Sequence, residues 1–369
     1  MNILMVTPHL PPYQAANALL PHLLGSALRS RGHDVRFLAL GNGLTRADAT
    51  FVRRRLPVLR PTRIPQLLEA FDTWALGGPQ IQWADVVHVH SNTWMNQVAA
   101  GLAWRRGRPY VLTHYGTEIW HCDGRNRAFR RLNERAHHVT FYSQALLDHG
   151  RRMGVPARAA SVVYPPVADD FRFASEDDRR GYRQTYLGVD APLVLNVKRL
   201  HPLADQATLL RAFALLAERW RDARLLIAGI GEMEGALKSL AESLRLGDRV
   251  RFLGLVPNEE VARLQAAADV FVLSSVLEAT PTVALEALAS GTRVVSTDNP
   301  GGLELRTMFC DDVTVVPREN PGALARAVGN LLAAPARTLE ATQTLITERF
   351  RMGRVAARYL ELYEEACRS

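Results

Sequence analysis

The chain has 369 residues, 47% of them apolar and 22% charged, with a formal charge of +8. These proportions exclude a disordered or fibrous chain, and the length exceeds what one hydrophobic core usually supports, so two domains are expected. No apolar run reaches the ~20 residues of a membrane-spanning helix.

The opening residues MNILMVTPHL lack a basic stretch and a small-residue cleavage site, so they predict a buried strand rather than a signal peptide. ANALLPHLLGSALRSRG follows with helical apolar spacing, and HDVRFLAL is the next strand. Residues 44–83 are the least regular region, rich in Arg and Pro, with one amphipathic stretch, IPQLLEAFDTWAL. ADVVHVHS, PYVLTHYG, HHVTFYS and RAASVVYPP continue as short strands. The segment VADDFRFASEDDRRGYRQTYLGVDAP is polar and irregular, and it marks a break near 168–190. A second series then alternates strands (PLVLNVKR, ARLLIAGIG, RVRFLG, DVFVLSS, TRVVSTD) with helices (TLLRAFALLAERW, GALKSLAESLRLG, NEEVARLQAAA, TVALEALASG). The last segment, RMGRVAARYLELYEEA, is an amphipathic helix detached from that pattern.

Short apolar strands alternating with helices predict an α/β protein with two doubly wound, Rossmann-like parallel sheets. The expected domains are 1–172, with the helix at about 350–369 packing back on it, and 173–349. Such domains would face a central cleft, with ligands at the carboxyl ends of the strands. The loops after His9, His90, Tyr115, Arg199, Gly229, Ser275 and Asp298 would then line it.

The charge is uneven. Residues 1–170 carry 20 Arg and no Lys against 11 Asp and Glu, while the remainder is nearly neutral. That asymmetry suits a solvated face, an anionic acceptor or a membrane surface. No zinc, helix-turn-helix or aromatic RNA-binding signature accompanies it, so nucleic acid is not an expected partner. Cys122, Cys310 and Cys367 are widely separated and odd in number, which points to reduced thiols in a cytoplasmic protein.

Glu278 and Glu286 stand eight positions apart in SSVLEATPTVALEALASG. The first falls in a turn after a strand and the second one to two turns into a helix beginning near Thr282. A helix start between them offers free N–H groups and a positive dipole end, a seat for phosphate. Two carboxylates around such a seat suit a sugar joined to a diphosphate; they equally suit two solvated helix carboxylates. Gly229-Ile230-Gly231 with Gly235 is a poor match to the dinucleotide fingerprint.

Taken in order, these segments resemble the retaining GT-B glycosyltransferases of family 4 (glycosyl transferases group 1). The resemblance runs from HLPPYQAANALLPHLLGSALRSRGHDV through DVVHVHSN, PYVLTHYGTE, NVKRL, LLIAGIGE, EATPTVALEALASG and STDNPGG to RYLELYEEA. It implies a metal-independent transferase with no cofactor, taking a UDP- or GDP-sugar donor and a small-molecule or lipid-linked acceptor. Glu278 would bond the donor sugar and Glu286 the ribose. Pro281, Thr282 and Val283 would form the diphosphate seat, with Arg199 pairing the phosphates. Gly229 and Gly231 would let the backbone approach the nucleotide, and Arg251 would border the base. His114 or Tyr115 would face the sugar from the other domain.

Departures accompany the matches. The family's first loop carries Gly-Gly where this chain has Ala15 and Ala16, and its second phosphate cation falls at Ala204. Lys198, beside Arg199, is the candidate replacement. Localisation is expected to be cytoplasmic, with peripheral contact at the inner membrane face through the basic N-terminal domain. A disaccharide phosphorylase, a nucleotide-sugar epimerase and a non-catalytic sugar-nucleotide-binding protein are the alternatives on this fold.

Overall fold

The computed structural model describes residues 1–13, 16–41, 46–53, 64–121 and 124–368. Its contacts divide it into two units, Met1–Pro166 with Met352–Ser369, and Val167–Arg351. Residues 167–172 therefore lie with the second unit.

The first unit is a seven-stranded parallel sheet. Its strands are β1 (Asn2–Thr7), β2 (Asp34–Leu40), β3 (Ala49–Val52), β4 (Val86–His90), β5 (Tyr110–His114), β6 (His138–Phe141) and β7 (Ala160–Val162), ordered β3-β2-β1-β4-β5-β6-β7. The order reverses between β1 and β4. Continuous apolar runs such as NILMVT and VVHVH form central strands because helices cover both faces.

The helix Met352–Arg368 completes this unit's core. Val355, Tyr359, Leu362 and Tyr363 pack against Ile3, Met5, Phe37 and Val111. A buried polar network fixes its register. His88 shares hydrogen bonds with the Tyr363 hydroxyl (2.6 Å) and the Thr113 hydroxyl (2.7 Å), and Thr113 also meets Tyr359 at 3.1 Å. Burial, and then the neighbouring His90 ring 3.8 Å away, holds the His88 imidazole well below its ordinary range, so it sits here neutral.

The second unit is a six-stranded parallel sheet. It comprises β8 (Leu193–Val197), β9 (Arg224–Ala228), β10 (Val250–Gly254), β11 (Val270–Leu273), β12 (Arg293–Thr297) and β13 (Val313–Val316), ordered β10-β9-β8-β11-β12-β13. Val194, Leu225, Ile227, Val270, Val272 and Val295 form its core with Leu209 and Phe213. Here the order reverses between β8 and β11, the place where open α/β sheets bind ligands beyond the strand ends. The chain enters and leaves this unit at adjacent points, since the Val167 N–H donates to the Phe350 carbonyl at 2.7 Å.

Two segments differ from expectation. The polar break contains a helix, Glu176–Leu187. Ser175 caps it by accepting from the Asp178 N–H at 3.1 Å, and Gly188 closes it at φ 72°. The irregular region 44–83 holds strand β3 and a helix, Ile64–Trp83, which continues through Gly77, Gly78 and Pro79. Gly77 is buried close against Leu38, where a side chain would collide. Among the described residues no helix is long and apolar enough to cross a membrane.

Candidate functional site

β8 and β11 are neighbours at the switch point, so the residues just past their ends meet. β8 delivers Lys198 and β11 leads through Ser274 and Ser275 to Glu278. The Lys198 ammonium lies 2.6 Å from a Glu278 carboxylate oxygen, with side-chain exposures of 27% and 13%. The two loops are also tied through their backbones. Val276 N–H donates to the Leu203 carbonyl at 2.8 Å, and the Ser274 hydroxyl donates to the Ala204 carbonyl at 2.8 Å.

The helix Thr282–Ala289 starts directly after this turn. Its N-cap is Pro281, whose side chain has no acceptor, so the N–H groups of Thr282 and Val283 are uncapped. One turn further in, Glu286 is half-buried. Burial pushes its carboxyl up to about 7, and the nearby Lys198 charge pulls it part of the way back. No described residue hydrogen-bonds that carboxyl. The arrangement is therefore one cation between two carboxylates, beside an open helix start with its positive dipole end.

Asn299 and Gly301, which lie within the run STDNPGG, hold this turn in place. Asn299 donates to the Ser275 carbonyl at 3.2 Å and accepts from the Gly302 N–H at 2.9 Å. Gly301 N–H donates to the Glu278 carbonyl at 3.1 Å, and a Cβ there would stand 2.6 Å from the Ala279 carbonyl oxygen. The Asn-Pro-Gly-Gly run after a strand was the available signal.

Gly229 and Gly231 have an internal reason to be glycine. A Cβ at Gly229 would collide with the Lys198 carbonyl, and one at Gly231 with the Leu200 carbonyl. They bring the β9 loop against the backbone that carries Lys198 and Arg199. Arg199 itself is turned outward, 71% exposed, and pairs with Glu232 at 3.2 Å. Glu232 was not a sequence candidate. Arg251 stands apart from this group, because its guanidinium donates to the Tyr186 carbonyl at 2.6 Å.

In the first unit, His114 ends β5 and is fully buried. Its Nε2 shares a hydrogen bond with Asn133 at 2.8 Å, and its Nδ1 is 3.7 Å from Glu118. Burial alone would raise the Glu118 carboxyl, but His114 and the Tyr115 N–H, donating at 2.7 Å, hold it below its ordinary value. Glu118 thus fixes the turn after β5. Tyr115 is half-buried, with its hydroxyl 2.9 Å from His90. Ala16 is exposed at the start of the helix Ala16–Arg29, and Ala15 lies outside the described residues.

Comparisons with known proteins return glycosyltransferases. The model of the glycosyl transferases group 1 matches residues 181–346, and that of glycosyltransferase family 4 matches residues 22–171. An uncharacterized glycosyltransferase of Methanocaldococcus jannaschii is 29% identical over 361 residues, covering 90% of this chain and 89% of its own. The GDP-mannose-dependent alpha-(1-6)-phosphatidylinositol monomannoside mannosyltransferase of Mycolicibacterium smegmatis is 33% identical over 247 residues, 64% of each chain. Anabaena HepE, solved with UDP, superposes with a TM-score of 0.80 at 20% identity, covering 99% of this chain and 100% of that one.

Proposed function

We propose that this chain, which belongs to the family 4 glycosyltransferases of the GT-B fold, moves a sugar from a UDP- or GDP-sugar to an acceptor. The transfer retains anomeric configuration and proceeds without a bound metal. The observation that carries the reading is the Lys198–Glu278 pair, at 2.6 Å, beside Glu286 and the open helix start.

In this reading Glu286 accepts hydrogen bonds from the ribose hydroxyls. The N–H groups of Thr282 and Val283 take diphosphate oxygens. Lys198 supplies the charge that Ala204 lacks, moving from Glu278 toward the phosphates as the donor enters and freeing Glu278 for sugar hydroxyls. Arg199 exchanges Glu232 for phosphate in the same way. Neither glutamate is placed as a nucleophile, because both are committed to holding the donor. The acceptor oxygen therefore attacks the anomeric carbon from the face that the diphosphate leaves. The bond from that carbon to the diphosphate oxygen breaks, and the departing phosphate takes the acceptor's proton. The two cations stabilise the charge growing on the leaving group.

The mycobacterial relative is GDP-mannose-dependent and acts on a phosphatidylinositol monomannoside. Together with the arginine excess of residues 1–170, this supports a phosphorylated or lipid-linked acceptor reached at an anionic membrane surface, in cell-envelope or natural-product biosynthesis.

A thermal-shift series with UDP, GDP and ADP tests the donor site, since a ligand that binds the fold raises its Tm by mass action. One nucleoside diphosphate should stand out. Glu286→Ala should then weaken its binding by roughly 1.5–3 kcal/mol, the worth of a charged hydrogen bond. Equal affinity in the variant and the parent, or no nucleotide response at all, would overturn the assignment. The anomeric configuration of the transferred sugar, read by NMR, tests retention separately.

A further inference from the structure

We propose that Gln265 is a positioning residue for the donor's diphosphate. It fixes the first turn of the helix Thr282–Ala289 while leaving that turn's N–H groups open. The inference rests on the donor-site reading above and adds a residue from a different helix, felt only through the phosphates.

A helix start that binds phosphate carries a conflict. A capping side chain steadies the first turn by accepting from its N–H groups, and those are the groups an anion needs. Here the Pro281 carbonyl accepts from the N–H groups of Ala284 at 3.0 Å and Leu285 at 3.3 Å, and no side chain caps the turn. The turn is held from its acceptor side instead. Gln265, fully buried on the helix Asn258–Ala267, donates its Nε2 to the Val283 carbonyl at 3.0 Å. That bond grips a residue of the diphosphate seat by its carbonyl and leaves its N–H free.

Gln265 is itself fixed in place. Thr292, 2% exposed and just past the far end of the helix Thr282–Ala289, has its hydroxyl 2.5 Å from the Gln265 carbonyl and 3.2 Å from the Ala268 carbonyl. The two helices are therefore tied at both ends of the second one, by the Gln265 side chain at its start and by Thr292 after its finish.

Stability alone does not account for an amide at this position. Gln265 lies among the buried Val261, Ala262, Leu264, Ala266 and Ala267, and its Oε1 has no partner among the described residues. An orphaned buried acceptor costs about as much as a made hydrogen bond contributes, so an apolar side chain of the same length would pack as favourably. It would not hold Val283.

The test compares UDP with uridine and GDP with guanosine, by calorimetry, on the full chain and on Gln265→Met. In the parent the better-bound nucleoside diphosphate should exceed its nucleoside. Gln265→Met should narrow that gap roughly 3- to 10-fold, the worth of one neutral hydrogen bond, with nucleoside affinity unchanged and Tm level or raised. Gln265→Asn, whose amide is one methylene short of Val283, should show the same selective loss and serves if the methionine variant fails to fold. An undiminished gap in both variants would overturn the proposal. So would equal losses for nucleoside and diphosphate with a lowered Tm, which would make Gln265 a packing residue. A parent that binds nucleoside and diphosphate alike would instead remove the donor-site reading, and this inference with it.

Discussion

Glu286 is the residue whose chemistry the local sequence least reveals. Its carboxyl reaches about 7 in the fold, against 4.5 for the ordinary group. Between those values the unfolded chain has lost the proton while the folded one keeps it, so stability falls as pH rises from about 4.5 to about 7 and is level above. Glu286→Gln removes that dependence. The variant should match the parent near pH 5 and exceed it near pH 8, by at most ~3 kcal/mol, read from urea unfolding at both values. A donor whose ribose hydroxyls need an ionised acceptor should bind the parent more tightly at pH 8 than at pH 6, and calorimetry in buffers of different ionisation enthalpy should show proton release on binding.

Lys198 supplies a second residue-scale prediction. Replacing it by Met leaves Glu278, 13% exposed, without its partner and removes the charge that restrains Glu286. Lys198→Met should therefore weaken nucleoside diphosphate binding roughly 10- to 100-fold, as loss of a charged contact does. It should also push the Glu286 titration higher. Unchanged affinity would return the phosphate charge to Arg199 alone. Position along the chain made Glu278, Glu286 and the intervening helix start legible, because a turn, a proline and an apolar helix follow a strand there. It did not show that Lys198 points at Glu278, nor that Arg199 pairs with Glu232 and Arg251 with the Tyr186 carbonyl. Side-chain direction past a strand end depends on loop backbone, and spacing does not encode that.

Elements are set by the same local rules, with tertiary context deciding the exceptions. The helix Glu176–Leu187 carried its signals in the sequence, a serine cap with Asp three positions later and a closing glycine. Its polarity hid them, since it has no buried residue and so no apolar stripe. The glycines after β9 show the opposite case. Their presence was visible, but their reason is a close backbone crossing that only the fold creates. Gly231→Ala forces a Cβ into the Leu200 carbonyl. It should cost roughly 2 kcal/mol or more, in the range of overpacked sites, and should shift the loop carrying Lys198 and Arg199. A parent-like Tm together with parent-like nucleotide affinity would show that the loop yields without consequence.

For the whole molecule, alternating strands made both parallel sheets legible, and the resemblance across the chain gave the GT-B fold. The first unit draws its core from both ends of the sequence, with Val355, Tyr359 and Tyr363 arriving from the last helix. A fragment of residues 1–166 lacks those side chains and leaves His88 and Thr113 without their tyrosine partners. It should be aggregated or molten by near-UV circular dichroism, and a peptide of residues 352–369 added in trans should restore cooperative melting. Native-like melting of the fragment alone would show the last helix to be dispensable.

The adjacency of Val167 and Phe350 makes the second unit, in topological terms, a guest spliced into one surface loop of a host. The host's own ends lie together as well. Asn2 N–H donates to the Asp85 carboxylate at 2.7 Å, and the Cys367 thiol reaches the Asp85 carbonyl at 3.7 Å. A short linker from residue 369 back to residue 1, with new ends opened at 351/352, would rewrite the host as one uninterrupted polypeptide. Such a circular permutant would read host first and guest second, turning a nested gene product into a tandem one.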